Sequence, residues 1–316
     1  MYAGMTTGAP RVKLATSILE ELWFGEDDPH ASDAAAANSL AAKLAELEGL
    51  RPFPLVVQRV MDYVRRPDFD ARKLQLMIEE DPALSAKVLR IANSAAFAGV
   101  QQISSIRDAA LRLGARTVSD MAASIAAMAF FKDVAGAGRA VRDHTVATAM
   151  VVRVLSTRTE WASPTAYITG LLHDMGKLLL LQTKDVAYAA LLADVKHPDE
   201  CHLRERELVG FDHAILAGHA LKTWGLPDPI PKIIAWHHQP VRAYALGGDV
   251  GMAVALLRIA DQLEPQLRTP KQPAMVQLER FCANSDCSYA GMEPRDLAKL
   301  WPDLQAAHAE AAKLFR

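Results

Sequence analysis

Apolar residues recur along this chain at the three- and four-residue spacing of one helix face, and the alternating runs of half-buried strands are nearly absent. Phe53, Val56, Val57, Val60, Met61 and Val64 make one stripe. Leu74, Met77 and Ile78 make the next, behind Asp70, whose carboxylate is placed to cap the new helix. Asp81 before Pro82 is a second start signal, an N-cap followed by a proline whose missing N–H costs nothing at the first helical position. The helix it opens puts Leu84, Val88, Ile91 and Ala95 on one face. Ser104-Ser105-Ile106 predicts a turn, followed by a short helix through Ala109, Ala110 and Leu113 that Gly114 closes. Thr117 to Phe131 reads as a long helix almost without charge, and a helix apolar all round belongs at the centre of a bundle.

Gly136, Gly138 and their alanine neighbours predict a linker, after which Val141–Leu155 forms a helix bearing His144. Residues 163–182 carry His173 and Asp174 on a helical segment. Phe211–Trp224 is a helix stopped by Gly225-Leu226-Pro227, Ile230–His238 a short one ending before Pro240, and Ala253–Leu263 one that carries Asp261. The tail holds about two more. No repeat of fixed period is present. The expected fold class is all-α: an irregular helical bundle in two sub-bundles meeting near a 133–138 linker. Residues 1–46 form an N-terminal helical extension. Residues 47–265 form the main domain, divided into 47–132 and 133–265. Residues 266–316 supply C-terminal helices that pack on it.

The stretch Gly170-Leu171-Leu172-His173-Asp174-Met175-Gly176-Lys177 sets an imidazole and a carboxylate among leucines, which is costly unless each finds a strong partner. A divalent cation is such a partner, and mixed imidazole and carboxylate donors suit Fe, Mn, Ni or Zn. His144, His213, the pair His237-His238 and Asp261 bring the candidate ligands to seven, enough for one or two ions. Neighbouring helical residues point about 100° apart, so Asp174 would bridge or cap two ions while His173 serves one. Two such ions would activate a water and clamp a phosphate. Lys177, three residues after Asp174, would either neutralise phosphate charge or pair with Asp174. The competing reading is a hydrogen-bonded cluster without metal. His30, His197, His202 and His308 are expected to be exposed, and His219, about 240° round the helix from His213, does not share its face. Arg107, Arg112 and Arg116 suggest an anion site, against which Asp108 lies beside them.

With 51% hydrophobic and 23% charged residues the chain can bury a large core. A net charge of −2 gives no drive toward DNA or an anionic membrane, so neither is expected as a partner. No apolar run reaches spanning length, and Met1–Arg11 lacks the pattern of a secretory signal. Three cysteines, an odd number, point to a reducing compartment, hence a cytoplasmic protein without disulfides. Cys282 and Cys287 have no second pair of ligands for a zinc knuckle.

From about Leu47 to Arg242 the chain resembles the HDOD family, HD-related output domains of bacterial signalling proteins. The resemblance rests on Arg51-Pro52-Phe53-Pro54, the run from Asp81-Pro82 to Ala92-Asn93-Ser94, Ile103-Ser104-Ser105-Ile106 with Leu113-Gly114, Gly170 to Lys177, Gly210-Phe211-Asp212-His213, Trp224-Gly225-Leu226-Pro227 and His237-His238-Gln239-Pro240. It implies an HD-superfamily-like fold and a regulatory module acting through protein partners. It also implies the metal-ligand positions His144, His173, Asp174, His213, His237, His238 and Asp261. The related HD-GYP phosphodiesterases suggest the alternative, a metal-dependent phosphohydrolase acting on a nucleotide or cyclic dinucleotide, with Asp174 and Lys177 in the catalytic roles. Where those enzymes carry an acidic-glycine-tyrosine-proline signature, this chain has Gln239-Pro240-Val241-Arg242, and Ala140 stands where some place a further Glu ligand. A third ion is therefore not expected.

Overall fold

The computed structural model describes residues 34–47, 55–63, 66–94, 97, 102–129, 136–158, 165–183, 185–194, 200–226, 228–269 and 271–314. Several features singled out above lie outside them: the extension up to residue 33, Phe53 and its motif, Val64, Ala95, Phe131, residues 133–135, Pro227, His30 and His197. Among the described residues there are eighteen α-helices and no strand.

The first five after α1 (Ala34–Leu47) build one sub-bundle: α2 (Leu55–Tyr63), α3 (Ala71–Glu79), α4 (Pro82–Ala92), α5 (Ile106–Leu113) and α6 (Ala115–Ala129). The two expected caps are in place. Asp70 accepts from the Arg72 backbone N–H at 2.8 Å, and Asp81 from those of Ala83 and Leu84 at 2.9 and 3.0 Å. The sparsely charged helix α6, whose charged residues are Arg116 and Asp120, is central, packed by α2, α4 and α5. Its Val118, Met121, Ala122 and Ala123 are fully buried. Asn93 ties the loop after α4 down by exchanging hydrogen bonds with the backbone of Ile103 at 2.8 Å each way. Of the arginines considered for an anion site, Arg112 instead pairs with Asp108 at 2.8 Å.

The second sub-bundle is organised round α7 (Ala137–Arg158), which takes in Gly138 of the expected linker. Against it lie α8 (Ala166–Leu172), α9 (Met175–Gln182), α10 (Val186–Asp194) and α15 (Gly248–Leu267). The helices α11 (Cys201–Val209), α12 (His213–Thr223), α13 (Ile230–Trp236) and α14 (Pro240–Leu246) complete it. Gly170 lets α8 approach α7 so closely that a Cβ there would stand 2.6 Å from the Ala149 Cα. Helix α1 packs on α11 and α12, in the second sub-bundle.

The tail has three described helices rather than two: α16 (Met275–Cys282), α17 (Ser285–Ala290) and α18 (Pro294–Leu314). Helix α18 lies along α7, and α17 against α15. No helix among the described residues is long and apolar enough to cross a membrane.

Candidate metal centre

The helical segment expected over 163–182 is broken at the two residues that matter. Helix α8 ends at Leu172, α9 begins at Met175, and His173-Asp174 form the turn between them. Asp174 adopts φ −94°, ψ 8°, the bridge region where a side chain can leave the helical array. His173 and Asp174 can therefore face one point, which 100° of helical rotation would not allow. Gly176 completes the arrangement. A Cβ at this position would strike the His213 carbonyl, so only glycine lets α9 meet the start of α12.

Each remaining candidate arrives on its own element. His144 sits in the second turn of α7 and Asp261 on α15. His213 is the first residue of α12, whose N-cap Asp212 accepts from the Ile215 N–H at 3.0 Å. His237 and His238 follow the last residue of α13. All seven converge. His144, His173 and Asp261 offer donor atoms within 4.8 Å of one another, and so do His213, His237 and His238. Asp174 reaches both groups. Its Oδ2 lies 3.6 Å from His173 Nε2 and 3.9 Å from His144 Nε2, while its Oδ1 lies 3.0 Å from His213 Nε2. His238 Nε2 is 3.1 Å from His213 Nε2. The side chains of Asp174, His173 and His213 are at most 3% exposed, whereas Asp261 is 23% exposed and forms the open edge.

The donor set fits a divalent ion. His173 Nδ1–H donates to the Gly170 carbonyl at 2.7 Å, and His237 Nδ1–H to that of Ile234 at 2.6 Å. Those bonds fix the tautomer and direct each Nε2 lone pair inward. Both Nε2 atoms are buried and without a hydrogen-bond partner, a state that native proteins rarely leave uncompensated. Burial, with the neighbouring imidazoles next, holds His237 and His238 well below the ordinary histidine range and so neutral, as ligands must be. His144 and His213 go the other way. Burial opposes charge on both, yet Asp261 and Glu264 raise His144 to about 10, and Glu205 and Asp174 raise His213 to about 9. Without a cation, protons on these two rings balance the carboxylates.

Several participants carry no signal that marks them in sequence. Glu205 on α11 is fully buried; it accepts the His213 backbone N–H at 2.8 Å, His213 Nδ1–H at 2.6 Å and the Tyr188 hydroxyl at 2.7 Å. Glu264, one turn beyond Asp261, accepts from His144 Nδ1 at 2.9 Å; the three-residue spacing from Asp261 is the one clue to it. Arg258 donates to the His237 carbonyl at 2.7 Å and is held in turn by Asp286 at 2.9 Å. Lys177 pairs with Asp174 at 2.8 Å, the second of its two expected roles. His202 and His308 are not exposed as expected. His202 stacks on His238, ring centroids 4.2 Å apart, and His308 Nε2 meets Glu264 at 2.9 Å. His219 is buried away from the cluster, its ring nitrogens unbonded, and desolvation lowers it to about 4. All three cysteines are free.

Fold and site together define an all-helical domain built round an HD-type cluster of histidines and aspartates. The sequence matches the HDOD domain family over residues 50–240, and the chain belongs to that family. It is similar to the structure of an HDOD domain protein of unknown function from Geobacter sulfurreducens, at 22% identity and a TM-score of 0.70, covering 88% of this chain and 97% of that one. A second similar structure, from Shewanella amazonensis SB2B and provisionally named a phosphohydrolase, has 23% identity and a TM-score of 0.68, covering 87% and 98%. A curated relative in Treponema pallidum (strain Nichols), itself uncharacterized, is 22% identical over 242 residues; the match takes in 73% of this chain but only 47% of that protein. The structural likenesses establish the fold. Asp261, Glu264 and His308 all lie past the family-matched span.

Proposed function

We propose that this chain is a regulatory signal-transduction module that holds one or two divalent ions, of Fe, Mn, Ni or Zn, and acts on protein partners in the cytoplasm. One observation carries the metal: Asp174 reaches both three-ligand groups, while the Nε2 atoms of His173 and His237 are buried beside it without a hydrogen-bond partner. His144, His173 and Asp261 would hold one ion and His213, His237 and His238 a second, with Asp174 shared. Regulation, rather than turnover, is favoured by Lys177. It pairs with Asp174 at 2.8 Å, a structural role that needs no phosphate. Gln239-Pro240 opens α14 in place of the substrate signature of the phosphodiesterases. The family's resemblance to output domains of bacterial signalling supports a protein partner.

Elemental analysis tests this first. Purified wild-type protein is expected to carry a first-row transition metal, and Asp174→Ala to lose it; wild-type protein free of such metal after expression in metal-replete medium sinks the reading. A second reading, a metal-dependent phosphohydrolase, is favoured by the pairing of two ligand groups round one carboxylate. Two ions, when bound, supply Lewis acidity for phosphate chemistry; Asp174 and His213 would order the site. The assay is hydrolysis of cyclic dinucleotides, nucleotides and a generic phosphodiester, with Mn or Fe under reducing conditions. No turnover is expected. Turnover that vanishes in a folded Asp174→Ala protein would replace the regulatory reading with the enzymatic one.

A further inference from the structure

Among the imidazoles of the cluster, His144 is oriented in a way of its own. His173 and His237 are fixed by carbonyls of their own turns, three residues back, and His213 by Glu205 eight residues back. His144 depends on a residue 120 positions away. Its Nε2 faces the cluster, 2.8 Å from Asp261, and its Nδ1 faces outward to Glu264 at 2.9 Å.

Glu264 is 2% exposed, and a carboxylate so far out of water persists only where donors surround it. Four contacts do so. Besides His144, it accepts from Arg268 Nε at 3.1 Å, from Arg268 Nη2 at 2.9 Å and from His308 Nε2 at 2.9 Å. An ionised carboxylate only accepts, so in the metal-free protein each ring nitrogen of His144 carries a hydrogen, Nδ1 toward Glu264 and Nε2 toward Asp261. A cation would displace the proton on Nε2, which faces the cluster, and leave Nδ1–H on Glu264. The backbone supports the same arrangement: Glu264 stands one turn past Asp261 on α15, and His308 comes from α18, which runs along the His144 helix.

Resting on the metal reading above, we infer that Glu264 is the positioning residue for His144 and that His308 and Arg268 hold it in place. The chain beyond the family-matched segment thereby sets the affinity of the metal site. Outer carboxylates of this kind orient the ring and raise its basicity, and their loss weakens metal binding by about 10- to 100-fold. A network that only stapled α18 to α15 would behave differently, since removing it would lower stability and leave the affinity of the folded protein unchanged.

The test uses the full chain, stripped by a chelator and titrated with Zn in competition with a chromophoric chelator, with circular dichroism reporting the fold. Glu264→Ala is expected to weaken Zn by about 10- to 100-fold. Glu264→Gln, whose amide oxygen still accepts from His144, is expected to remain closer to wild type. His308→Ala keeps Arg268 on the carboxylate and is expected to weaken Zn in the same direction by less; it carries the test should Glu264→Ala not fold. Wild-type protein that takes up no Zn overturns this inference together with the metal reading. Wild-type protein that binds Zn while the folded variants match its affinity overturns this inference alone, as does an equal loss in Glu264→Gln and Glu264→Ala.

Discussion

His144 and His213 hold the cluster's charge when no cation does, and this makes the metal-free protein sensitive to alkali. Their folded values, about 10 and about 9, lie above the ordinary histidine value of 6.5. A raised value contributes stability that is complete below 6.5 and is lost as pH climbs through the folded value. His237 and His238 are depressed by burial and by neighbouring imidazoles, so their contribution is present above 6.5 and lost on acidification. Chelator-treated protein should therefore melt at its highest temperature near pH 6.5 and lose stability progressively from there to about pH 10. Bound metal, which displaces those protons, should flatten the alkaline decline. Thermal melts across pH 5.5–10 with and without Zn check this; a metal-free melting temperature that holds steady to pH 10 would contradict charged His144. At this scale the histidines were legible because His is scarce and seven ligand-type residues stood in a meaningful order. Glu205 and Glu264 were not, because a glutamate on a helix is ordinarily a solvated residue and nothing local marks one as buried. His202 and His308 misled for the same reason.

Helix termini fix where the ligands point, and glycines fix how near their helices come. The N-caps Asp70 and Asp81 announced their helices from local chemistry alone, and both bonds are present. The break at His173-Asp174 carried no proline or glycine to announce it. It is imposed by tertiary pull: Asp174 is drawn toward three imidazoles and Lys177, and α9 restarts with the Lys177 N–H on the Asp174 carbonyl at 3.0 Å. Gly176 allows this restart beside α12. Gly176→Ala would press a methyl group into the His213 carbonyl, and relief requires the two helices to part. Overpacking of this kind costs about 1–3 kcal/mol, and here it also moves His213 from Asp174. The variant is expected to fold with a lowered urea midpoint and reduced Zn uptake. Unchanged Zn uptake would mean that the close approach of α9 and α12 has no part in the site.

Across the molecule, the all-α class and the central place of α6 followed from the apolar pattern, because helical periodicity and the scarcity of charge are local properties. Long-range assembly was beyond that pattern, and two couplings show why. Helix α1 leaves its sequence neighbours to pack on α11 and α12, and the tail joins the site through charges whose partners lie far away in sequence. The second such joint is Asp286 on α17, 2% exposed. It accepts from the Tyr244 hydroxyl at 2.6 Å, Arg258 Nε at 2.9 Å and Gln262 Nε2 at 3.0 Å, while Arg258 reaches on to the His237 carbonyl at 2.7 Å. One carboxylate thus binds the tail to α14, to α15 and, through Arg258, to a candidate ligand. Asp286→Ala leaves three donors without their acceptor. Losing one partner of a buried pair costs about 3–5 kcal/mol, and the lower end is expected because Arg258 is 23% exposed. If the tail is one cooperative unit with the rest, the variant should melt in a single transition at lower temperature, with α17 and α14 gaining hydrogen exchange together. Exchange confined to α17, with the melting temperature unmoved, would show that the tail is held independently of the helices bearing the cluster.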